Sequence, residues 1–254
     1  MRLLSTKPGN DVPQLEEFIG EENFPPYIIL SHTWEDGEVS LQDLRDPAQR
    51  TAKQGFQKIQ RTCALAARNG FGFTWVDTCC IDKQASAELS EAINSMFRWY
   101  EKASVCYAFL SDLAPKDADA DLSSALHKCR WFTRGWTLQE LIAPVEVWFY
   151  DRDWNYRGTR SDLADTISAI TNIPVPLLRH EASLSDFSVA CRIHAYSLIG
   201  IFDVHMSLVY GERLKAFSRL QEAVLQTTGD HRRPQHPRLD RRQPRSTTVH
   251  RIPR

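Results

Sequence analysis

Nothing in the 254-residue sequence is apolar for long enough to span a bilayer. The first residues, Met1-Arg-Leu-Leu-Ser-Thr-Lys-Pro8, hold no apolar core of secretory-signal length. Paired metal-ligand spacing is missing as well. The six cysteines (Cys63, Cys79, Cys80, Cys106, Cys129 and Cys191) make no CxxC pair, and the eight histidines make neither HxxxH nor HExxH. A metal site and a disulfide framework are therefore not expected. The cysteines fall in apolar patterns, where a reduced thiol acts as a small hydrophobe. No repeat is present. These absences make a soluble, cytoplasmic protein without a membrane partner the expectation.

What is present suits a packed core: 42% of residues are hydrophobic and 25% charged, which excludes global disorder. The net charge of −1 conceals an asymmetry. Residues 229–254 carry eight arginines against Asp230 and Asp240, an excess of +6 that leaves the remaining chain at −7. An acidic body offers no footprint for nucleic acid. The tail, rich in Arg, Pro and His and without periodicity, reads as a disordered basic end.

Residues 1–26 are polar, with one short amphipathic piece closed by Pro25-Pro26. Tyr27-Ile-Ile-Leu-Ser31 reads as a buried strand that runs into the polar loop His32-Thr-Trp-Glu-Asp-Gly37. Thr51-Ala-Lys-Gln54 fits a capping box, and Phe56, Ile59, Cys63 and Ala66 continue a helical stripe to Gly70. Phe73 to Asp77, Val105 to Ser111 and Val145 to Tyr150 read as further strands. Between them, Ser86 to Lys102 is the clearest helix, with Ile93, Met96, Phe97 and Tyr100 on one stripe. Helices are also expected over Thr159 to Asn172, Ala190 to Phe202 and Glu212 to Gln226. Strands alternating with helices at this spacing predict an α/β fold of three layers, a mostly parallel sheet flanked by helices, with additional C-terminal helices. The division expected is an N-terminal segment over 1–26, one domain over 27–228 and the tail over 229–254.

The densest stretch is Arg130-Trp-Phe-Thr-Arg-Gly-Trp-Thr-Leu-Gln-Glu-Leu-Ile-Ala-Pro144, with a single carboxylate among apolar residues. If Trp136 to Ile142 is helical, Trp136 and Glu140 are i,i+4 neighbours, and Pro144 stops the helix. Arg130 and Arg134 stand close in sequence, so Glu140 either pairs with one of them as a buried anchor or sits in a polar pocket.

With these residues in view, the chain resembles the heterokaryon-incompatibility (HET) domain of filamentous fungi. The match rests on Tyr27-Ile-Ile-Leu-Ser-His-Thr-Trp34, on Trp75-Val-Asp-Thr-Cys-Cys-Ile-Asp-Lys83 running on to Cys106-Tyr-Ala-Phe-Leu-Ser-Asp112, and on the 130–144 stretch with Phe149-Tyr-Asp-Arg-Asp-Trp154. It continues through Ala195-Tyr-Ser-Leu-Ile-Gly-Ile-Phe202 and Leu208-Val-Tyr-Gly-Glu212. Two places depart from the family pattern. Leu184 to His194 lacks the family's Trp-Ala, Arg-x-Thr-Thr-Arg and Glu-Asp residues, and the basic tail replaces family-like text, as an altered or mis-spliced product would show. The resemblance implies a role in fungal non-self recognition and regulated cell death.

The chain is also distantly similar to Toll/interleukin-receptor (TIR) domains. Trp136-Thr-Leu-Gln-Glu-Leu141 resembles the segment that carries the glutamate of NAD-cleaving TIR domains and puts Glu140 on that glutamate. The similarity implies a TIR-like sheet and NAD as substrate rather than cofactor. Cleaving the nicotinamide–ribose bond builds positive charge that a carboxylate stabilises. Ser31, His32, Trp34, Asp77, Arg130, Arg134 and Trp136 would then hold the substrate, with the arginines on its pyrophosphate and an indole as a stacking wall. Each has a plainer reading: Ser31 as a turn cap, His32 as a satisfied polar histidine, Trp34 as surface packing under a partner, Asp77 and Asp82 as loop hydrogen-bonders. Two functions therefore stay open, an NAD glycohydrolase and a non-enzymatic module acting by self-association or by recruiting other incompatibility or receptor proteins.

Overall fold

The computed structural model describes residues 1–7, 13–115, 121–134 and 137–182. The helices expected at 190–202 and 212–226, the tail and Trp136 lie outside them. In chain order the strands are β1 (Arg2–Ser5), β2 (Leu15–Glu17), β3 (Tyr27–His32), β4 (Phe73–Val76), β5 (Val105–Phe109), β6 (Val147–Tyr150) and β7 (Tyr156–Thr159). The helices are α1 (Leu41–Arg45), α2 (Pro47–Ala52), α3 (Gly55–Arg68), α4 (Asp77–Cys80), α5 (Ser86–Lys102), α6 (Leu122–Leu126), α7 (Thr137–Ile142), α8 (Ala164–Thr171) and α9 (Val175–Leu178).

The strands form a single sheet in the order β2-β1-β4-β3-β5-β6-β7. Its centre, β4-β3-β5-β6, is parallel, and β1, β2 and β7 pair antiparallel at the edges. The expected α/β architecture is thus the observed one. β3 is buried at all six residues, as a strand covered on both faces must be. Alternation along it assigns the faces. Tyr27 donates its hydroxyl to the Trp99 carbonyl of α5 at 2.5 Å, and Ser31 reaches α7 on the same side. His32 points to the other side, towards Glu38 and the start of α3.

Several local readings are revised. Residues 1–26, polar by composition, supply β1 and β2; Leu3 and Leu4 are fully buried as β1 pairs with β4. The capping box lies at Ser40 and Asp43, ahead of α1. Thr51 instead bonds back to the Pro47 carbonyl within α2. α5 has the expected bounds, but its buried face is Ala92, Ser95, Trp99 and Tyr100, with Met96 and Phe97 only half-buried at its margin. The helix expected from Thr159 begins at Ala164. Before it, Tyr156–Thr159 pairs with β6, and Gly158 holds φ +134, a region closed to residues with a side chain.

Trp75 is fully buried and meets Trp99 and Tyr100 edge-on at 5.7 and 6.1 Å. Removing such a ring costs roughly 3–5 kcal/mol, a large share of a domain's stability. Trp75→Ala is expected to leave little folded protein, and Phe97→Ala, half-buried, to lose clearly less. Chemical denaturation of both variants checks the order; equal losses would contradict the assigned helix face.

Candidate functional site

Ser31 is the last residue but one of β3 and Glu140 lies on α7, a helix of six residues too short to persist without tertiary support. Arg160, just past β7, supplies part of that support. Its buried guanidinium donates to the carbonyls of Leu141, Pro144 and Val145 at 2.7–2.8 Å and so ties down the end of α7. The Ser31 hydroxyl donates to Glu140 Oε2. The Trp131 indole N–H donates to Ser31 Oγ at 2.7 Å. Since an indole only donates, Trp131 fills an acceptor site on Ser31 and leaves the serine proton for the carboxyl.

Glu140 is 9% exposed, and among the described residues no Lys or Arg forms a salt bridge with it. Burial pushes its carboxyl up to about 7, against the hydrogen bond from Ser31. The negative charge of Asp77 pushes the same way, while Arg134 and the Tyr100 hydroxyl pull it back. A carboxyl balanced near neutrality can serve as a carboxylate or as an acid.

The structure separates the other sequence candidates. Arg130, exposed, pairs with Asp112 and Glu35 at 3.2 and 3.0 Å, so the anchor pair with Glu140 is not formed. Arg134 is half-buried and acts on Glu140 through charge. Ser31 caps no turn. His32 is buried on the opposite face, with Nε2 3.6 Å from Glu38 and Nδ1 3.9 Å from Asp77, and among the described residues neither nitrogen has a hydrogen-bond partner. Trp34 is 46% exposed and donates to Asp77 at 2.6 Å. Asp82 accepts from Gln42 and the Gln84 amide, which is a loop role. Among the described residues no cluster of three or more His, Cys, Asp or Glu could hold a metal ion, and no helix is long and apolar enough to cross a membrane.

Sequence reasoning missed four contributors. Tyr100 read as part of the apolar stripe of its helix and Trp131 had no role of its own in the 130–144 stretch; only contact with Ser31 and Glu140 reveals their polar ends. Lys83 stands 3.4 Å above the Trp34 ring. Glu38 receives Lys58; although burial pushes its carboxyl up, His32 and Lys58 prevail and hold it at about 2.

The Glu140 carboxyl holds its proton more tightly in the folded chain than at its ordinary value of 4.5. Its contribution to stability is therefore full below pH 4.5, declines as pH rises and levels off above about 7. Glu140→Gln stays neutral throughout, so its stability relative to the parent should rise by roughly 2–3 kcal/mol between pH 5 and pH 8. Urea titrations at both pH values measure this; parallel behaviour would mean that the carboxyl is compensated in the fold.

Residues 27–125 match the model of the family described as heterokaryon incompatibility protein (HET). The chain is 47% identical over 244 residues to the vegetative incompatibility protein HET-E-1 of Podospora anserina, an alignment covering 88% of this chain. It spans 18% of that relative's length. No solved structure matches.

Proposed function

The chain belongs to the heterokaryon-incompatibility family, and from that premise we propose that it acts in the cytoplasm as a cell-death effector of fungal non-self recognition, hydrolysing NAD at Glu140. The observation that carries this reading is the Glu140 carboxyl: buried, without a salt-bridge partner among the described residues, and held by Ser31 at the C-terminal edge of the parallel strands. In an open parallel sheet that edge is where ligands bind. The likeness of Trp136–Leu141 to the TIR segment adds to it, as does the name of the P. anserina relative.

In the reaction the bond between the nicotinamide nitrogen and ribose C1′ breaks, and its electron pair neutralises the pyridinium nitrogen. The ribose becomes oxocarbenium-like, and water adds at C1′ with loss of a proton. The Glu140 carboxylate opposes the growing positive charge, or accepts from the ribose hydroxyls, in a setting with little water to screen it. The exposed ring of Trp34 can stack a base, and Arg134 lies close enough to act on Glu140 through charge.

A second reading, a non-enzymatic module that self-associates or recruits other incompatibility proteins, has its own observation. Trp131, Ser31 and Glu140 satisfy one another within the fold, as a structural lock would. Incubating concentrated protein with NAD and following nicotinamide release separates the two. Cleavage should rise with pH through about 7 as Glu140 ionises, and Glu140→Gln should lower it by roughly 10²–10³ while remaining folded. A folded Glu140→Gln that cleaves at the parental rate, or a parent that releases no nicotinamide, sinks the enzymatic reading.

A further inference from the structure

On the other side of β3 from Ser31 and Glu140, a cavity of about 440 Å³ opens at the C-terminal edge of the sheet. It is bounded by the loop after β3, the start of α3, the end of β5 and the loop after β6. The chain runs from β3 outward to β4 and then crosses back to β5 on the far side of β3, so strand order reverses there. Such reversals leave a crevice for ligands, and the volume lies in the range of small-molecule sites.

Its aromatic wall is purposely built. Trp154 holds φ +64, a left-handed conformation that is costly for a large residue and persists only where the surroundings impose it. The fully buried Asp151 imposes it here. Its carboxylate accepts from the Asp153 and Asn155 amides at 3.0 Å and pairs with the buried Arg157 at 3.2 Å. Its carbonyl accepts from the Trp154 amide. The indole is thereby set against Phe109, with ring centroids 4.5 Å apart and planes within 20°. Around these rings stand Arg61, Arg152, Asp36 and Asp153, all exposed, and among the described residues none of the four is in an ion pair. Charges of both signs kept unpaired around an aromatic wall suit a ligand that carries a ring, hydroxyls and an anion.

We propose that this cavity binds a nucleotide, with its base against Trp154, its phosphate between Arg61 and Arg152, and its ribose hydroxyls donating to Asp36 and Asp153. Bases stack on aromatic side chains, and arginine pairs hold phosphate through charge-assisted hydrogen bonds. The assignment does not depend on catalysis at Glu140, because the two places lie on opposite faces of the sheet.

Calorimetric titration of the full chain with AMP, adenosine and inorganic phosphate tests it; AMP has no nicotinamide bond to cleave. AMP should bind saturably and about tenfold or more tighter than either fragment. Arg61→Ala/Arg152→Ala should weaken AMP about tenfold or more without lowering the melting temperature, since both side chains are exposed and unpaired. Glu140→Gln should bind AMP like the parent. Three outcomes overturn the proposal: no saturable binding, phosphate or adenosine binding as tightly as AMP, or an unchanged affinity in the double variant. Loss of AMP binding in folded Glu140→Gln overturns it too, by moving the nucleotide to the other face.

Discussion

The hydrogen bond from Ser31 to Glu140 joins two points 109 residues apart, the end of the central strand and a helix of six residues. The strand is held by its neighbour β5, but the short helix is not stable in that position by itself. A carboxyl placed among buried rings loses its hydration, and only a partner that donates to it offsets part of the cost. Ser31 is that partner, and Trp131 directs its proton by occupying its acceptor side. Arg160 holds the far end of α7 through three carbonyls, so a buried cation sets the position of the Glu140 carboxyl. Arg160 pays for this in its own charge state, since burial pulls the guanidinium down to about 10.

The same strand produces two environments through its period of two. Ser31 faces α5 and α7, where the neighbours are Trp131, Tyr100 and the carboxyl they surround. His32, one residue on, faces Glu38, Lys58 and α3. The first side is nearly free of compensating charge and favours a neutral carboxyl. The second is densely paired and holds Glu38 ionised at about 2. Asp77 stands at the edge between them, close to His32 and acting on Glu140 through its charge. Two neighbouring residues on one strand thus stand in unlike surroundings, coupled only through the charge of Asp77.

How far the fold was legible depended on pattern strength. β3, β4, β5 and β6 are short apolar runs ended by polar loops, and α5 is a long amphipathic segment; both signals are local. β1 and β2 were hidden because each is only three or four residues long and carries charge, Arg2 in β1 and Glu16 and Glu17 in β2, which as the edge strand tolerates it. β7 was hidden because its residues Tyr-Arg-Gly-Thr become a strand only by pairing with β6. The stripe on α5 was displaced because Trp99 packs against Trp75 of the sheet while Ile93 and Phe97 are only half-buried. Helical periodicity reports an apolar arc, not which part of it docks.

By itself the sequence determined the α/β class, the parallel strands and their polar C-terminal loops, because burial patterns and turn residues act over short distances. It also marked Glu140 with Ser31, His32, Trp34, Asp77, Arg130, Arg134 and Trp136 as a set, through motif resemblance rather than geometry. Tertiary structure alone decided which of them meet. Ser31 reaches Glu140, Arg130 turns away to Asp112 and Glu35, and His32 falls on the opposite face. Those outcomes rest on strand alternation, on the packing of α7 against α5 that brings Glu140 to Ser31, and on competition among charges far apart in sequence. No local pattern encodes such a competition, since its result depends on which partners the folded chain brings within a few ångströms.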